Sequence, residues 1–324
     1  MKRLSISKEN TLGVITAGLF VLMSFSIPGF FSSNNLTNMM FQLPEFGLIA
    51  LAMMVVIVTG GIDLSITYTA ALSGVTIALM ASSGYPMLGA ILIGVLVGLS
   101  CGLINGVLIS KIGVSPILVT LGTMVLFEGL ILSITKGNSI SGFSEGYSLI
   151  GNGYYMGIVP LSIIIFVLFA IITAILLSKT KWGRSVYMVG SNPIATLFSG
   201  VNNSKVLMRV YLYAALLATI GSIIMTSRYN TAKVDLGSSY LLQSVAAAVL
   251  GGTEIQGGYG KVIGTVYAVV IFQMLSSGLN LMGVPRSIVT VMMGVILITV
   301  LVINFVKTKL DEKSQKKLPS NSVA

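Results

Sequence analysis

Histidine is absent from this sequence, cysteine occurs once, and charged residues make up only 9% of the 324. Each shortage excludes something. Without histidine there is no imidazole metal site and no histidine proton relay. The lone thiol, Cys101, sits in an apolar run and cannot close an intramolecular disulfide. A soluble chain of this length would need far more charge to cover its surface. The few carboxylates are scattered, so neither paired acids nor a nucleophile with its base assembles, which argues against an embedded enzyme.

Apolar residues dominate instead, at 55% of the chain with a mean hydropathy of +0.97. Runs of about 18 or more recur along the sequence, each long enough as a helix to cross a hydrocarbon core. In lipid every backbone N–H and C=O needs an internal partner, and barrel-type alternation is missing, so these runs are helices. The expected fold is all-α: a polytopic bundle of about ten transmembrane helices. The spans fall at roughly 12–28, 45–59, 65–82, 86–109, 116–135, 157–178, 207–226, 240–255, 262–281 and 287–306. The first lacks a small-residue cleavage site and reads as an uncleaved span, not a signal peptide.

The net charge of +10 does not point to nucleic acid, because the basic residues gather at the ends of the apolar runs and share no face. With the N-terminus inside, outer segments hold only Lys136, Arg228, Lys233 and Arg286, and the rest of the 19 basic residues lie inside. That asymmetry makes both termini cytoplasmic. Residues 1–306 form the transmembrane domain, with a long inner loop at 179–206, and 307–324 form a basic cytoplasmic tail. Two junctions echo one another. Gly102-Leu103-Ile104-Asn105 leads to Gly113-Val114-Ser115-Pro116, and Gly278-Leu279-Asn280 leads to Gly283-Val284-Pro285. An offset of five spans reverses orientation, so the echo suggests an inverted repeat of spans 2–5 and 7–10.

Within the inner loop, Asn192-Pro193 and Ser199-Gly200 have the start and stop grammar of a short helix. Ile194, Leu197, Phe198 and Val201 fall on one side of it. Such a stripe suits the lipid interface, the chain's own bundle or a docking partner. Gly60-Gly61-Ile62-Asp63 breaks a span; Asp63 reads as a helix cap in preference to a solute ligand, and the glycines as a tight passage or hinge. Gly94, Gly98, Gly102 and Gly106 make a smooth stripe for close helix packing. Asn105, Gln243, Gln273 and Asn280 are neutral hydrogen-bonding groups inside spans. They either line a path for a hydroxylated solute or bond helix to helix. Glu128, deep in the fifth span, is expected to face the bundle, paired or protonated.

The order of these features resembles the ribose-type ABC permeases. Gly183 through Asn192, ending in Ser199-Gly200-Val201-Asn202, is similar to that family's cytoplasmic coupling loop. The resemblance extends over Gly60 to Ser65, Gly102 to Gly106, Thr120-Leu121-Gly122-Thr123, and Gly251-Gly252-Thr253 with Gly257, Gly258 and Gly260. Arg228 to Gly237 and Ser244 to Gly252 look most similar to autoinducer-2 and rhamnose/ribose importers.

The resemblance implies a type II importer-like permease subunit of the bacterial inner membrane. Its partners would be an ABC ATPase subunit, a second permease copy or paralogue, and an extracytoplasmic solute-binding protein. The solute would be ribose, another pentose or deoxyhexose, or autoinducer-2. The coupling role falls on Gly183, Arg184, Asn192, Pro193, Leu197, Phe198 and Gly200, with Leu197 and Phe198 as apolar anchors. Where the family often carries arginine, this chain has Glu128, a departure. The glycine clusters at 252–259 and 257–262 lack the spacing that cradles phosphate, so ATP and Mg would be handled by partner subunits and no cofactor or metal by this chain. The alternative is an ion-coupled secondary transporter, which predicts several charges inside the spans. In the sequence only Glu128 is plainly internal.

Overall fold

The computed structural model describes residues 8–285, 287–296, 298, 299 and 302. The tail expected at 307–324, the end of the tenth span, and Lys2, Arg3 and Arg286 lie outside the described residues.

Helices account for most of the chain. In order they are α1 (Lys8–Ser26), α2 (Ser33–Ile57), α3 (Ile66–Ser82), α4 (Met87–Val107, continued by a π turn at Leu108–Ile112), α5 (Pro116–Thr135) and α6 (Glu145–Asn152). They continue with α7 (Leu161–Lys179), α8 (Lys181–Ser191), α9 (Pro193–Phe198), α10 (Asn203–Tyr229), α11 (Tyr240–Leu250), α12 (Val262–Leu281) and α13 (Ser287–Ile296). Among the described residues seven helices are long and apolar enough to cross a membrane. Three shorter apolar ones, α3, α11 and α13, occupy the remaining expected places. Alternating crossings put the start of α1, the end of α2 and the start of α12 on the face that carries α8 and α9, here the α9 face. The far face is closed by α6 and by a short antiparallel pairing of β1 (Ile140–Ser141) with β4 (Thr231–Ala232).

α2 is the central post, with Leu48 through Val58 fully buried among α7, α10, α11 and α12. It starts at Ser33, well before the expected 45, because Ser32 caps it by accepting from the Asn35 amide at 3.3 Å. The glycine stripe of α4 lies against α10 and α3. A Cβ at Gly102 would come within 2.6 Å of the Ala215 side chain, and one at Gly98 would strike Thr219. The approach brings the Ser73 hydroxyl to the Gly94 carbonyl at 2.9 Å. Without a hydrophobic drive between helices in lipid, such backbone proximity supplies the packing.

α3 and α11 are short for one reason. On the α9 face the chain enters the bundle as non-helical loops, at 58–65 and 251–261, where its polar backbone must be satisfied by protein. Gly258 N–H donates to the Val58 carbonyl at 2.8 Å, Thr253 N–H to Ala248 at 3.0 Å, and the Thr120 hydroxyl to the Ile62 carbonyl at 3.0 Å. The two echoed junctions also match in backbone: Gly113 and Gly283 are both left-handed, at φ +85° and +75°, and a proline follows each.

Candidate functional site

The expected short helix is α9. The Asn192 side chain accepts from the Ala195 amide at 2.9 Å, Pro193 occupies the first turn, and Gly200 ends the helix at φ +78°. Its apolar residues face outward: Ile194 is 69% exposed, Leu197 61% and Phe198 86%. Val201, the fourth of the stripe, turns inward instead and packs on the core. α8, which precedes it, does not stand out in the sequence as a separate helix. The Thr180 side chain caps it by accepting from Gly183 N–H at 3.0 Å, while Val186 and Val189 bury one face. Arg184 lies on the exposed side of α8, and a Cβ on Gly183 would collide with the carbonyls of Leu176 and Leu177.

α8 is joined to both buried loops. A Cβ at Gly190 would strike the Val58 carbonyl and come within 2.5 Å of the Gly258 amide. One at Gly257 would lie 2.6 Å from the Gly60 amide and 3.0 Å from the Gly190 carbonyl. The Tyr187 hydroxyl donates to the Gly260 carbonyl at 2.7 Å. Gly60 and Gly258 need their positive φ, +79° and +80°, to make these turns. Three backbone segments therefore meet where only glycine fits, joining α8 to the breaks after α2 and α11.

Behind the first break lies a buried polar chain. Asp63 accepts from the Ser65 amide and hydroxyl at 2.9 and 2.7 Å. It thus secures the start of α3 from two residues upstream of the formal cap, which is Ser65. Asn105 donates to the Ser65 hydroxyl at 2.8 Å and accepts from Thr123 at 2.7 Å. Asn105 is buried with both ends of its amide engaged, so its geometry is that of a bridge joining the α3 start, α4 and α5. The Tyr211 hydroxyl, buried and without a hydrogen bond among the described residues, abuts Gly61, where a Cβ would lie 2.8 Å away. Of the other amides, Gln243 is half-buried on α11, whereas Gln273 and Asn280 share a cavity on the far face. Outside the spans, Glu9 holds Lys261 at 2.9 Å and hydrogen-bonds its ammonium, raising its pKa.

The family described as "branched-chain amino acid transport system / permease component" matches residues 35–301, from the start of α2 past α13. The chain belongs to it. It is a multi-pass membrane permease of the ribose type, and the ion-coupled alternative is set aside. The ribose import permease protein RbsC of Bacillus subtilis is 40% identical over 286 residues, 87% of this chain and 88% of that one. The autoinducer 2 import system permease protein LsrD of Escherichia coli K12 is 36% identical over 277 residues, 83% and 84% of the two chains. No solved structure matches.

The permease also corrects the sequence reading of its charges. Glu128 is half-exposed on α5, with the Tyr68 hydroxyl within reach of its carboxylate. It is not the sole internal carboxylate, for Glu45 is fully buried and Asp63 is 4% exposed. Glu45 accepts from Arg228 at 2.9 Å, Tyr229 at 2.7 Å and Tyr240 at 3.2 Å. The Arg228 guanidinium lies 5.9 Å from the Phe41 ring centre and 5.4 Å from that of Tyr229. Sequence reasoning placed Arg228 in an outer loop and Glu45 at a span end. A basic residue near the end of one apolar run and an acid inside another were the available signal, and their pairing was not.

Proposed function

We propose that this permease is the membrane subunit of an ATP-driven importer for a monosaccharide or sugar-like solute. Ribose, another pentose or deoxyhexose, and autoinducer-2 are the candidates, the first and last being what the two relatives are named for. The observation that carries the coupling mechanism is the junction of α8 with the breaks after α2 and α11, beneath the outward-facing Leu197 and Phe198. An ABC ATPase subunit engages those two side chains, while Asn192, Pro193 and Gly200 fix the helix that presents them. Gly183 lets α8 turn tightly against the end of α7, and Arg184 supplies a charge at the rim of the contact. ATP and Mg stay with the ATPase, and its stroke reaches the bundle through Gly190, Gly257 and Gly60.

The α9 face is cytoplasmic in this reading, with both termini on it, in the bacterial inner membrane. The concentration of lysine and arginine there supports the orientation. A solute-binding protein delivers to the far face, and a second permease copy or paralogue completes the translocation path. Gln243, Gln273 and Asn280 offer the solute neutral hydrogen bonds along it; Asn105 serves instead as a bridge that keeps the first break in place. The test is Leu197→Asp with Phe198→Asp. Uptake is expected to fall at least tenfold with membrane insertion intact, and unimpaired uptake overturns the docking role.

A further inference from the structure

The break between α2 and α3 gathers oxygen atoms that the protein itself leaves short of partners. Asp63 is 4% exposed, and the bonds it accepts from the Ser65 amide and hydroxyl both fall on one oxygen, Oδ1. The nearby Asn105 amide donates to the Ser65 hydroxyl at 2.8 Å. Oδ2 thus has no close donor, and no lysine or arginine pairs with the carboxylate among the described residues. Tyr211 of α10 is 1% exposed, with a hydroxyl that finds no hydrogen bond among the described residues. It reaches the same break: a Cβ on Gly61 would lie 2.8 Å from that hydroxyl, and the charge of Asp63 acts on it. Gly61 is buried too, and its carbonyl accepts no hydrogen bond among the described residues.

Three oxygens, one of them on a carboxylate, are therefore withdrawn from water without compensation, which is costly. The phenol and the carboxylate stand close but do not bond to each other, so a third body belongs with them. A water would fill hydrogen-bonding capacity and leave the negative charge in place. A proton on Oδ2 would remove the charge and leave the Gly61 carbonyl unfilled. A cation does both, because it neutralises the carboxylate and takes the other oxygens as ligands. Carboxylate, carbonyl and hydroxyl oxygens are hard donors, and interrupted membrane helices hold alkali ions on unwound backbone carbonyls. The charge must be single. Asp63 brings one negative charge, and among the described residues no three His, Cys, Asp or Glu side chains gather as a multivalent site. A divalent ion would leave a net positive charge as costly as the one it removed.

We infer that this break holds one monovalent alkali cation, taken by Asp63 Oδ2, the Tyr211 hydroxyl oxygen and the Gly61 carbonyl. The ion is a resident counter-charge that fixes the first break, and it is not carried with the solute. The inference goes beyond the importer reading, and its test needs neither ATPase nor solute. Permease purified in nanodiscs is exchanged into choline chloride, then dialysed against radioactive sodium or rubidium chloride at constant ionic strength. About one ion per permease should bind saturably, and Tm should rise as the site fills. Asp63→Asn should weaken binding at least tenfold. Tyr211→Phe should weaken it about fivefold, the loss of one neutral ligand. Asp235→Asn removes an exposed carboxylate on the far face and should bind as the unmodified protein does. If Asp63→Asn does not insert, Tyr211→Phe decides, since it keeps the ring and its packing. No alkali ion bound to the unmodified permease, or binding that either site variant leaves unchanged, overturns the site and leaves Asp63 with a proton or water alone.

Discussion

α2 buries a carboxylate in its far-face half and leads into another at its α9-face end, and the two are held in opposite ways. Glu45 faces an arginine and two tyrosine hydroxyls drawn from α10 and α11. Among the described residues Asp63 accepts from the amide and hydroxyl of Ser65, backed by the uncharged Asn105–Thr123 pair. The first is a charge lock in which losing either partner strands the other in a medium that cannot solvate it. The second is a carboxylate held by hydroxyl and amide donors with no cation among its hydrogen-bond partners, beside turns that touch through glycine backbone. The far-face half of α2 is thus tied to α10 by a charge pair, whereas its α9-face end meets its neighbours through hydrogen bonds and glycine backbone.

That contrast is exposed to direct attack. Glu45→Ala should have the largest effect, about 3–5 kcal/mol of stability, read as a lowered Tm of the detergent-solubilised permease. Adding Arg228→Met should recover part of the loss, since no unpaired charge then remains. Gly190→Val comes next, with about 1–3 kcal/mol from overpacking against the Val58 carbonyl. It should also lower solute-stimulated ATPase in the assembled transporter more than Glu45→Ala does at equal folded fraction. Thr123→Val removes the donor to Asn105 and should cost about 1 kcal/mol; a loss exceeding that of Glu45→Ala would reverse the comparison. Smallest is Asn192→Ala, about 0.5–1 kcal/mol confined to the capped helix. Faster amide exchange at 194–198 with unchanged Tm is the expected signature.

Legibility followed the range of the interaction. The bounds of α9 were readable because Asn192, Pro193 and Gly200 act on their own backbone within a few residues. The α4 stripe was readable because close packing in lipid demands small residues at helical spacing. α8 went unseen: its cap, Thr180, follows directly on α7, and two consecutive helices blur into one basic loop. The first half of α2 read as a loop because Ser33, Asn34, Asn35, Asn38, Gln42 and Pro44 dilute its hydropathy. Three of them, Asn35, Asn38 and Gln42, line the far-face cavity with residues of α12.

Hydropathy, basic-residue placement and local caps alone determined that the chain is a multi-pass helical bundle and where its short exposed helix begins and ends, because each depends on neighbours in sequence or on the solvent. Which carboxylate pairs with Arg228, which glycines meet beneath α9 and which amides share a cavity were decided only by the tertiary structure. These contacts join residues separated by as much as Gln42 and Gln273, and no local preference encodes the distance between two helices.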